Sequence, residues 1–147
     1  KEYRKLDLIL LIEILISCSS IFYFFKMADK IAFDDAYRYD IEPSSGGWRE
    51  ATEQVKRKVS ALTRGYHSMW IGITSGGVDG VRERWNNKYK RLGMAHVAAV
   101  YETSSDNFRR NMETELINFY KDHVDNERDG GGGSNGSPPY VVYVAWN

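Results

Sequence analysis

The spacing of apolar residues along the chain predicts three amphipathic helices. Between Trp48 and Arg64, and again from about Gly80 to Arg91, apolar side chains recur every three or four residues, which is typical of a helix with one buried face. Ser104 or Ser105 can cap a third helix. Its predicted apolar stripe consists of Phe108, Met112, Leu116 and Phe119.

Three other segments have the composition of strands, which is rich in β-branched and aromatic residues. They are "SMWIGIT", "AHVAAVYE" and "YVVYVAW", the last of which follows a glycine-rich stretch from Asp129 to Pro139 that predicts a loop. Alternation in the first strand places Met69, Ile71 and Ile73 on one face and Trp70, Gly72 and Thr74 on the other. The order of helices and strands predicts a small α/β domain over residues 48–147.

Two segments of different character precede this domain. Residues 1–26 contain the apolar run Leu8–Phe25, which Glu13 interrupts. This run has three interpretations: a membrane anchor, a secretory signal, or translated upstream sequence, because Met27 begins an ordinary hydrophilic stretch. Residues 27–47 end in "EPSSGG" and predict an irregular arm. Without an anchor we expect an intracellular protein, either cytoplasmic or nuclear.

Charge is balanced over the whole chain but not along it. The 20 basic and 20 acidic residues give a net charge of zero, which argues against a globally basic nucleic-acid coat protein. From Lys56 to Arg91, however, nine basic residues face two acidic ones, a net charge of +7. Such a segment either attracts phosphates or forms a solvated helix surface. One cysteine and three scattered histidines argue against a disulfide framework and a zinc enzyme.

Four short motifs between Gly65 and Gly133 resemble, in their order, those of the GIY-YIG nuclease family. "WIGIT" stands at the Tyr-Ile-Gly strand, "RERWNNK" at the arginine helix, "ETELI" at the glutamate helix, and "DNERDGGGG" at the asparagine near glycines. Two departures are visible: Trp70 replaces the motif tyrosine, and a helix occupies the place of the opening Gly-Ile-Tyr strand. We therefore expect a small three-stranded, mixed or antiparallel sheet flanked by helices. In it, "VVYVAW" replaces the usual first strand, in a circularly permuted order, and pairs with the Trp70 strand.

The resemblance implies roles for particular side chains. Arg84 would stabilise the negative charge on the phosphate, and Glu113 would bind a divalent cation, usually Mg²⁺. Tyr143 would be the surviving tyrosine, which takes a proton from the attacking water, and Lys88 stands where the family often has a histidine. The expected DNA contacts come from Arg82, Lys90, Arg91 and Asn126.

Two of these choices stay open on the residues alone. Arg82 competes with Arg84 for the role of the phosphate-binding cation. Helical geometry does not choose between Glu113 and Glu115, which flank the predicted apolar stripe on opposite edges. Only the spacing of the family motif selects Glu113.

Three functions are compatible with these patterns. The first is a metal-dependent endonuclease that hydrolyses duplex or branched DNA, which the presence of both Arg84 and Glu113 favours. The second is a catalytically inactive nucleic-acid-binding module on the same fold, favoured by the missing hydroxyl at Trp70. The third is a membrane-tethered interaction domain, which requires residues 8–25 to be a genuine membrane segment.

Overall fold

The structure is a computed structural model that describes residues 31–38, 42–126 and 136–147. Its centre is a three-stranded sheet with helices on both faces. In chain order the elements are α1 (Phe33–Ala36), α2 (Trp48–Leu62), β1 (Met69–Ser75), α3 (Gly77–Arg84), a π-helix (Trp85–Tyr89), β2 (His96–Thr103), α4 (Asp106–Phe119) and β3 (Tyr140–Trp146). The predicted α/β class and the three strands are confirmed.

The apolar run Leu8–Phe25 lies outside the described residues. Among the residues that are described, none of the helices has both the length and the apolar character that a membrane crossing requires.

Strand β3 is the central strand and pairs antiparallel with both of its neighbours, so that the strand order is β1-β3-β2. Along β1, Met69 lies opposite Trp146 and Gly72 lies opposite Tyr143. The predicted pairing between the C-terminal strand and the Trp70 strand is therefore confirmed. The sheet is antiparallel, which settles the choice between a mixed and an antiparallel sheet.

Each face of the sheet has its own apolar core. Helices α2 and α4 cover the first face, which receives Met69, Ile71 and Ile73 of β1, as the alternation predicts. Helices α1 and α3 and the π-helix cover the second face, where Trp70 packs at the margin. A bulge in β2 between Ala99 and Tyr101 interrupts the alternation.

The buried stripe of α4 differs from the predicted one. Phe108 is 37% exposed and Phe119 is 56% exposed, so neither belongs to the core. Met112 and Leu116 are buried as predicted, but they are joined by Arg109, Glu113 and Ile117. Arg109 is buried because Asp106 accepts a hydrogen bond from its Nε at 2.6 Å, while its guanidinium lies 4.2 Å from the centre of the Tyr140 ring. Of the two candidate caps for this helix, Ser105 accepts the hydrogen bond from the Phe108 N–H.

The segment before α2 covers the outer edge of β2. Tyr37 and Ser44 form parallel bridges to Val97 and Tyr101, and the Glu102 N–H donates to the Ser44 carbonyl at 2.8 Å. Helix α1 buries Phe33 in the core of the second face. The described parts of the predicted irregular arm are therefore partly regular, and they satisfy main-chain groups that an edge strand would otherwise expose.

The helix predicted over Gly80–Arg91 begins earlier and changes its geometry. It starts at Gly77, and regular α-helical bonding ends at Arg84. The next turn is a π-helix, in which the Lys90 N–H donates to the Trp85 carbonyl five residues earlier, at 3.0 Å. Gly80 permits the close approach of α3 to the sheet, since a Cβ there would lie 2.0 Å from the Ser75 carbonyl oxygen. A π-helical turn is rare and is found frequently at functional sites.

Candidate active site

A hydrogen-bonded pair of buried tyrosines lies between the π-helix and the sheet. Tyr89 is the last residue of the π-helix, and Tyr143 lies in the middle of β3. Their hydroxyl oxygens are 3.1 Å apart, and their rings meet edge to face with 5.6 Å between centroids. Each residue is 3% exposed, so each hydroxyl obtains a polar partner inside an apolar core.

Gly72 gives the Tyr143 ring its space. This glycine lies directly opposite Tyr143 in the sheet register. A Cβ at position 72 would lie 2.5 Å from the Tyr143 hydroxyl oxygen and 2.7 Å from its Cζ atom. The ring therefore lies across the β1 backbone at a distance that any larger residue would prevent.

Arg84 and Glu113 act electrostatically on both tyrosines. Burial raises the pKa of Tyr143 well above its ordinary value, the neighbouring Tyr89 raises it further, and the positive charge of Arg84 opposes the increase. Burial also raises the pKa of Tyr89, which the hydrogen bond from Tyr143 and the charge of Arg84 both lower. The shared hydrogen bond couples the two hydroxyls, so they titrate as a pair, and burial raises the pKa of both. The negative charge of Glu113, which belongs to α4 on the first face of the sheet, is the smallest contribution and raises both pKa values.

The structure distinguishes between Glu113 and Glu115, the two glutamates between which helical geometry did not choose. Glu113 is 4% exposed and influences the tyrosine pair, whereas Glu115 points towards α2 and binds Lys56, with an N–O distance of 2.8 Å. The buried stripe of α4 is displaced from the predicted one, and this displacement carries Glu113 into the interior.

The two candidate arginines are also in different surroundings. Arg84 is half-buried and acts on the tyrosines. Arg82 is more exposed, lies over the Phe33 ring with 5.0 Å to its centre, and has a long contact of 3.5 Å to Asp34. Arg84 is therefore the cation that belongs to the tyrosine site.

Lys88 and Arg91 line an open cavity next to this site. The cavity has a volume of about 320 Å³ and is lined by Trp70, Lys88, Arg91 and Leu92. The Lys88 ammonium lies 4.0 Å from the centre of a Trp70 ring, and Trp70 in turn meets Tyr89 edge to face. Lys88 is thus adjacent to the tyrosine pair, separated from it by aromatic rings. Lys90 is half-buried on the same turn.

Asn126 has a main-chain role in the structure. Its side-chain oxygen accepts from the Ile71 N–H at 3.0 Å, and its side-chain nitrogen donates to the Ile71 carbonyl at 2.7 Å. The preceding Asp125 makes similar bonds to Met69 through its N–H and its carboxylate. Together they close the outer edge of β1. Asn126 is therefore occupied with the sheet edge and apart from the tyrosine pair.

The basic segment between Lys56 and Arg91 is divided between the two faces of the sheet. Lys56 and Lys58 belong to α2 on the first face, where Lys56 binds Glu115 and Lys58 binds Ser44. The later cations, from Arg82 onwards, belong to α3 and the turns after it on the second face. The net charge of +7 does not form one surface, and only the cations of the second face lie near the tyrosine pair.

Tyr89 is the main residue of this site that the sequence analysis did not identify. It follows Val81 and Trp85 at four-residue steps, a spacing that indicates only a position on the buried stripe of the helix. The hydroxyl of a tyrosine on a buried stripe needs a polar partner. This requirement indicates a second polar group nearby, which the spacing of apolar residues alone does not show.

The side chains around the tyrosines limit the kind of metal site that could form there. Within residues 31–38, 42–126 and 136–147, no group of three or more histidine, cysteine, aspartate or glutamate side chains is arranged to hold an ion. A resident ion bound by protein ligands alone is therefore not supported there. The single carboxylate of Glu113 could supply one ligand to Mg²⁺ that keeps several waters and binds a substrate phosphate, but at 4% exposed it would do so only after its surroundings open.

Comparisons with protein-family models, with curated proteins and with solved structures found no match to this chain. The resemblance to the GIY-YIG nucleases therefore stays a prediction, based on the order of the sequence motifs.

Proposed function

We propose that this domain is a GIY-YIG-type, metal-dependent endonuclease that hydrolyses DNA phosphodiester bonds. One observation carries the proposal: the hydroxyls of Tyr89 and Tyr143 form a buried hydrogen-bonded pair beside Gly72, and the charges of Arg84 and Glu113, from two other elements, both act on the pKa values of this pair. Phosphodiester hydrolysis requires these chemical groups, namely a positive charge for the phosphate, a ligand for a metal ion, and a group that handles the proton of the attacking water. In this proposal β3 takes the place of the family's opening strand and Tyr143 that of its tyrosine.

Arg84 provides the positive charge in this mechanism. Its side chain is half-buried, so its charge is less screened by solvent than that of an exposed arginine. Negative charge increases on the phosphate oxygens as water attacks phosphorus, and a fixed guanidinium stabilises that charge more in the transition state than in the ground state.

The tyrosine pair handles the proton of the attacking water. Oxygen of the water forms a bond to phosphorus while the bond to the leaving oxygen breaks, and the leaving oxygen takes a proton from solvent. The water's proton passes to Tyr89, in place of Tyr143, when Tyr89 is ionised, which its raised pKa makes the minor form. Tyr89 is better suited to this step than Tyr143, since its hydrogen bond from Tyr143 stabilises the phenolate. Tyr143 thereby holds the hydroxyl of Tyr89 in place, and the pair supplies the hydroxyl that Trp70 lacks.

Glu113 would hold Mg²⁺ through its carboxylate. When bound, the ion would neutralise part of the phosphate charge.

The second candidate function is a nucleic-acid-binding module without catalytic activity. The burial of both tyrosines favours this alternative, because a residue that is 3% exposed reaches a substrate only if the helices on the second face move away from the sheet. The membrane-tethered interaction domain depends on residues 8–25, which the structure does not describe.

A plasmid-nicking assay separates the two functions. We expect the full chain to nick supercoiled plasmid in the presence of Mg²⁺, and we expect Arg84→Gln and Glu113→Gln each to lower the rate by roughly 100-fold or more. Both substitutions remove a charge and keep the approximate size of the side chain. The matched controls are Glu115→Gln on the same helix and Arg57→Gln, an exposed residue of α2 on the other face.

The possible outcomes identify which part of the proposal fails. DNA binding without nicking by the wild-type chain supports the inactive module. Equal nicking by the wild type and Glu113→Gln removes the metal-binding role of Glu113. Equal loss in Glu113→Gln and Glu115→Gln attributes the effect to helix stability, which thermal melting measures independently.

A further inference from the structure

The cavity beside the tyrosine pair combines an aromatic wall with positive charge. It has a volume of about 320 Å³, within the range of small-molecule sites, and it is open to solvent. Trp70 contributes an aromatic ring, Lys88 and Arg91 contribute cations, and Leu92 is 46% exposed at its margin. None of these four lining residues is acidic.

This composition indicates a ligand that has both an aromatic ring and a negative charge. A free phosphate would use Lys88 and Arg91 but would leave Trp70 and Leu92 without a role. An apolar ligand would use the ring and the leucine but would bury two cations without a partner, which is costly. A nucleotide uses both halves of the site, because its base stacks on an aromatic ring while its phosphate pairs with cations.

The contact between Lys88 and Trp70 shows how the site can change when a ligand enters. The Lys88 ammonium lies 4.0 Å from the centre of the Trp70 ring and covers this face of it. The interaction between an exposed cation and an aromatic ring is modest, about 0.5–1 kcal/mol, and a flexible lysine gives it up readily. A base that stacks on Trp70 displaces the ammonium, which then pairs with the phosphate of the same nucleotide.

We propose that this cavity binds an unpaired nucleobase, so that the domain prefers DNA containing an unpaired nucleotide to fully paired duplex. The faces of a paired base are covered by its neighbours in the stack, whereas an unpaired base turns out at low cost. Trp70 meets Tyr89 edge to face with 6.4 Å between centroids, so a base stacked on Trp70 lies one aromatic ring away from the tyrosine pair. This inference rests on the proposed function and specifies its substrate class.

Fluorescence anisotropy with labelled DNA tests the preference in the absence of cleavage. The probes are a short blunt duplex, the same duplex with one unpaired adenosine, and a third with an abasic unit in place of that adenosine, all in EDTA. For the full chain we expect binding of the adenosine probe to be about tenfold tighter than binding of the blunt duplex. The abasic probe should bind like the blunt duplex, because it has no base to stack.

Two tryptophan variants form a matched pair. Trp70→Leu keeps an apolar side chain without an aromatic face, and we expect it to abolish the preference for adenosine. Trp48→Leu is the control, since Trp48 is also half-buried beside a cation, Arg49, but packs against the first face of the sheet. It should retain the tenfold preference. Thermal melting establishes that both variants fold.

Several results would overturn the inference. These are equal affinity for the blunt and adenosine probes, equally tight binding of the abasic probe, and equal effects of Trp70→Leu and Trp48→Leu. The nicking assay in Mg²⁺ is separate: a preference without nicking refutes the enzyme and keeps the binding site. Nicking without a preference refutes this site and keeps the enzyme.

Discussion

Substitution of Gly72 by alanine tests the closest contact in the candidate site. The added methyl group would lie 2.5 Å from the Tyr143 hydroxyl oxygen, 2.7 Å from Cζ and 3.1 Å from Cε2. Ordinary contacts between carbon atoms are about 3.5–4.0 Å, so the ring has to retreat by roughly 1 Å. Tyr143 is buried in a close-packed core, and the ring cannot retreat without moving its neighbours.

The expected net loss of stability follows from two opposing contributions. Overpacking of a core costs about 1–3 kcal/mol. Replacement of a strand glycine by alanine returns about 0.5–1 kcal/mol, because the unfolded chain loses conformational freedom. Gly72 is not among the glycines with positive φ, so no backbone strain is added. Because the contacts of 2.5 and 2.7 Å are severe, the overpacking cost lies in the upper part of its range, about 2–3 kcal/mol. We therefore expect Gly72→Ala to lower the free energy of unfolding by about 1–2.5 kcal/mol, measured by urea denaturation with circular dichroism.

A double-mutant cycle assigns the loss to the Tyr143 ring. The leucine of a Tyr143→Leu variant has no hydroxyl and no distal ring atoms, so the methyl group that Gly72→Ala adds would have nothing to clash with. There, Gly72→Ala should be neutral or slightly stabilising. The reasoning is refuted if Gly72→Ala is as stable as the wild type, or if it destabilises both backgrounds equally.

The tyrosine pair and the sheet edge give two further predictions. Both Tyr89 and Tyr143 have a raised pKa in the folded protein, so above the ordinary tyrosine value of about 10 the unfolded chain releases protons that the folded protein retains. The free energy of unfolding should therefore fall as the pH rises above about 10, and less steeply in Tyr143→Phe; an unchanged slope in urea titrations would contradict this. Asn126→Ala removes both side-chain bonds to Ile71 and should cost about 1–2 kcal/mol. Asn126→Asp keeps the acceptor but turns a carboxylate oxygen towards the Ile71 carbonyl oxygen, so it should cost at least as much; wild-type stability of Asn126→Asp in urea denaturation would contradict the edge role.

The sequence predicted the strands better than the helices, for physical reasons. Alternation in β1 was sufficient to assign Met69 and Trp70 to opposite faces, because a strand has only two faces. In α4 the exposure of Phe119 was not predictable from periodicity. The burial of Arg109 instead depends on Asp106 and on the Tyr140 ring of β3, which are contacts that hydrophobic patterns do not record.

The candidate site could be predicted only in part. The spacing of the family motif selected Glu113 and left Arg82 as a competitor of Arg84, and in the structure the charges of Glu113 and Arg84 both act on the pKa of Tyr143. Tyr89 contacts Tyr143 only because the π-helical turn packs against a strand that is distant in the sequence. Such a tertiary contact does not follow from the local pattern of residues. Asn126 had a plausible position in the motif, but its pairing with Ile71 depends on an open sheet edge that a linear sequence does not reveal.

The central position of β3 has a consequence for the order of events in folding. Met69 pairs with Trp146 and His96 also pairs with Trp146, so both ladders join positions that are far apart in the chain. Within the described sheet, β1 and β2 do not pair with each other, and neither can join a ladder before residues 140–146 have been synthesised. Until then both strands have unpaired main-chain groups, and the Tyr89 hydroxyl lacks its partner. We expect slow folding from such distant contacts, with sheet and candidate site formed in the same late step.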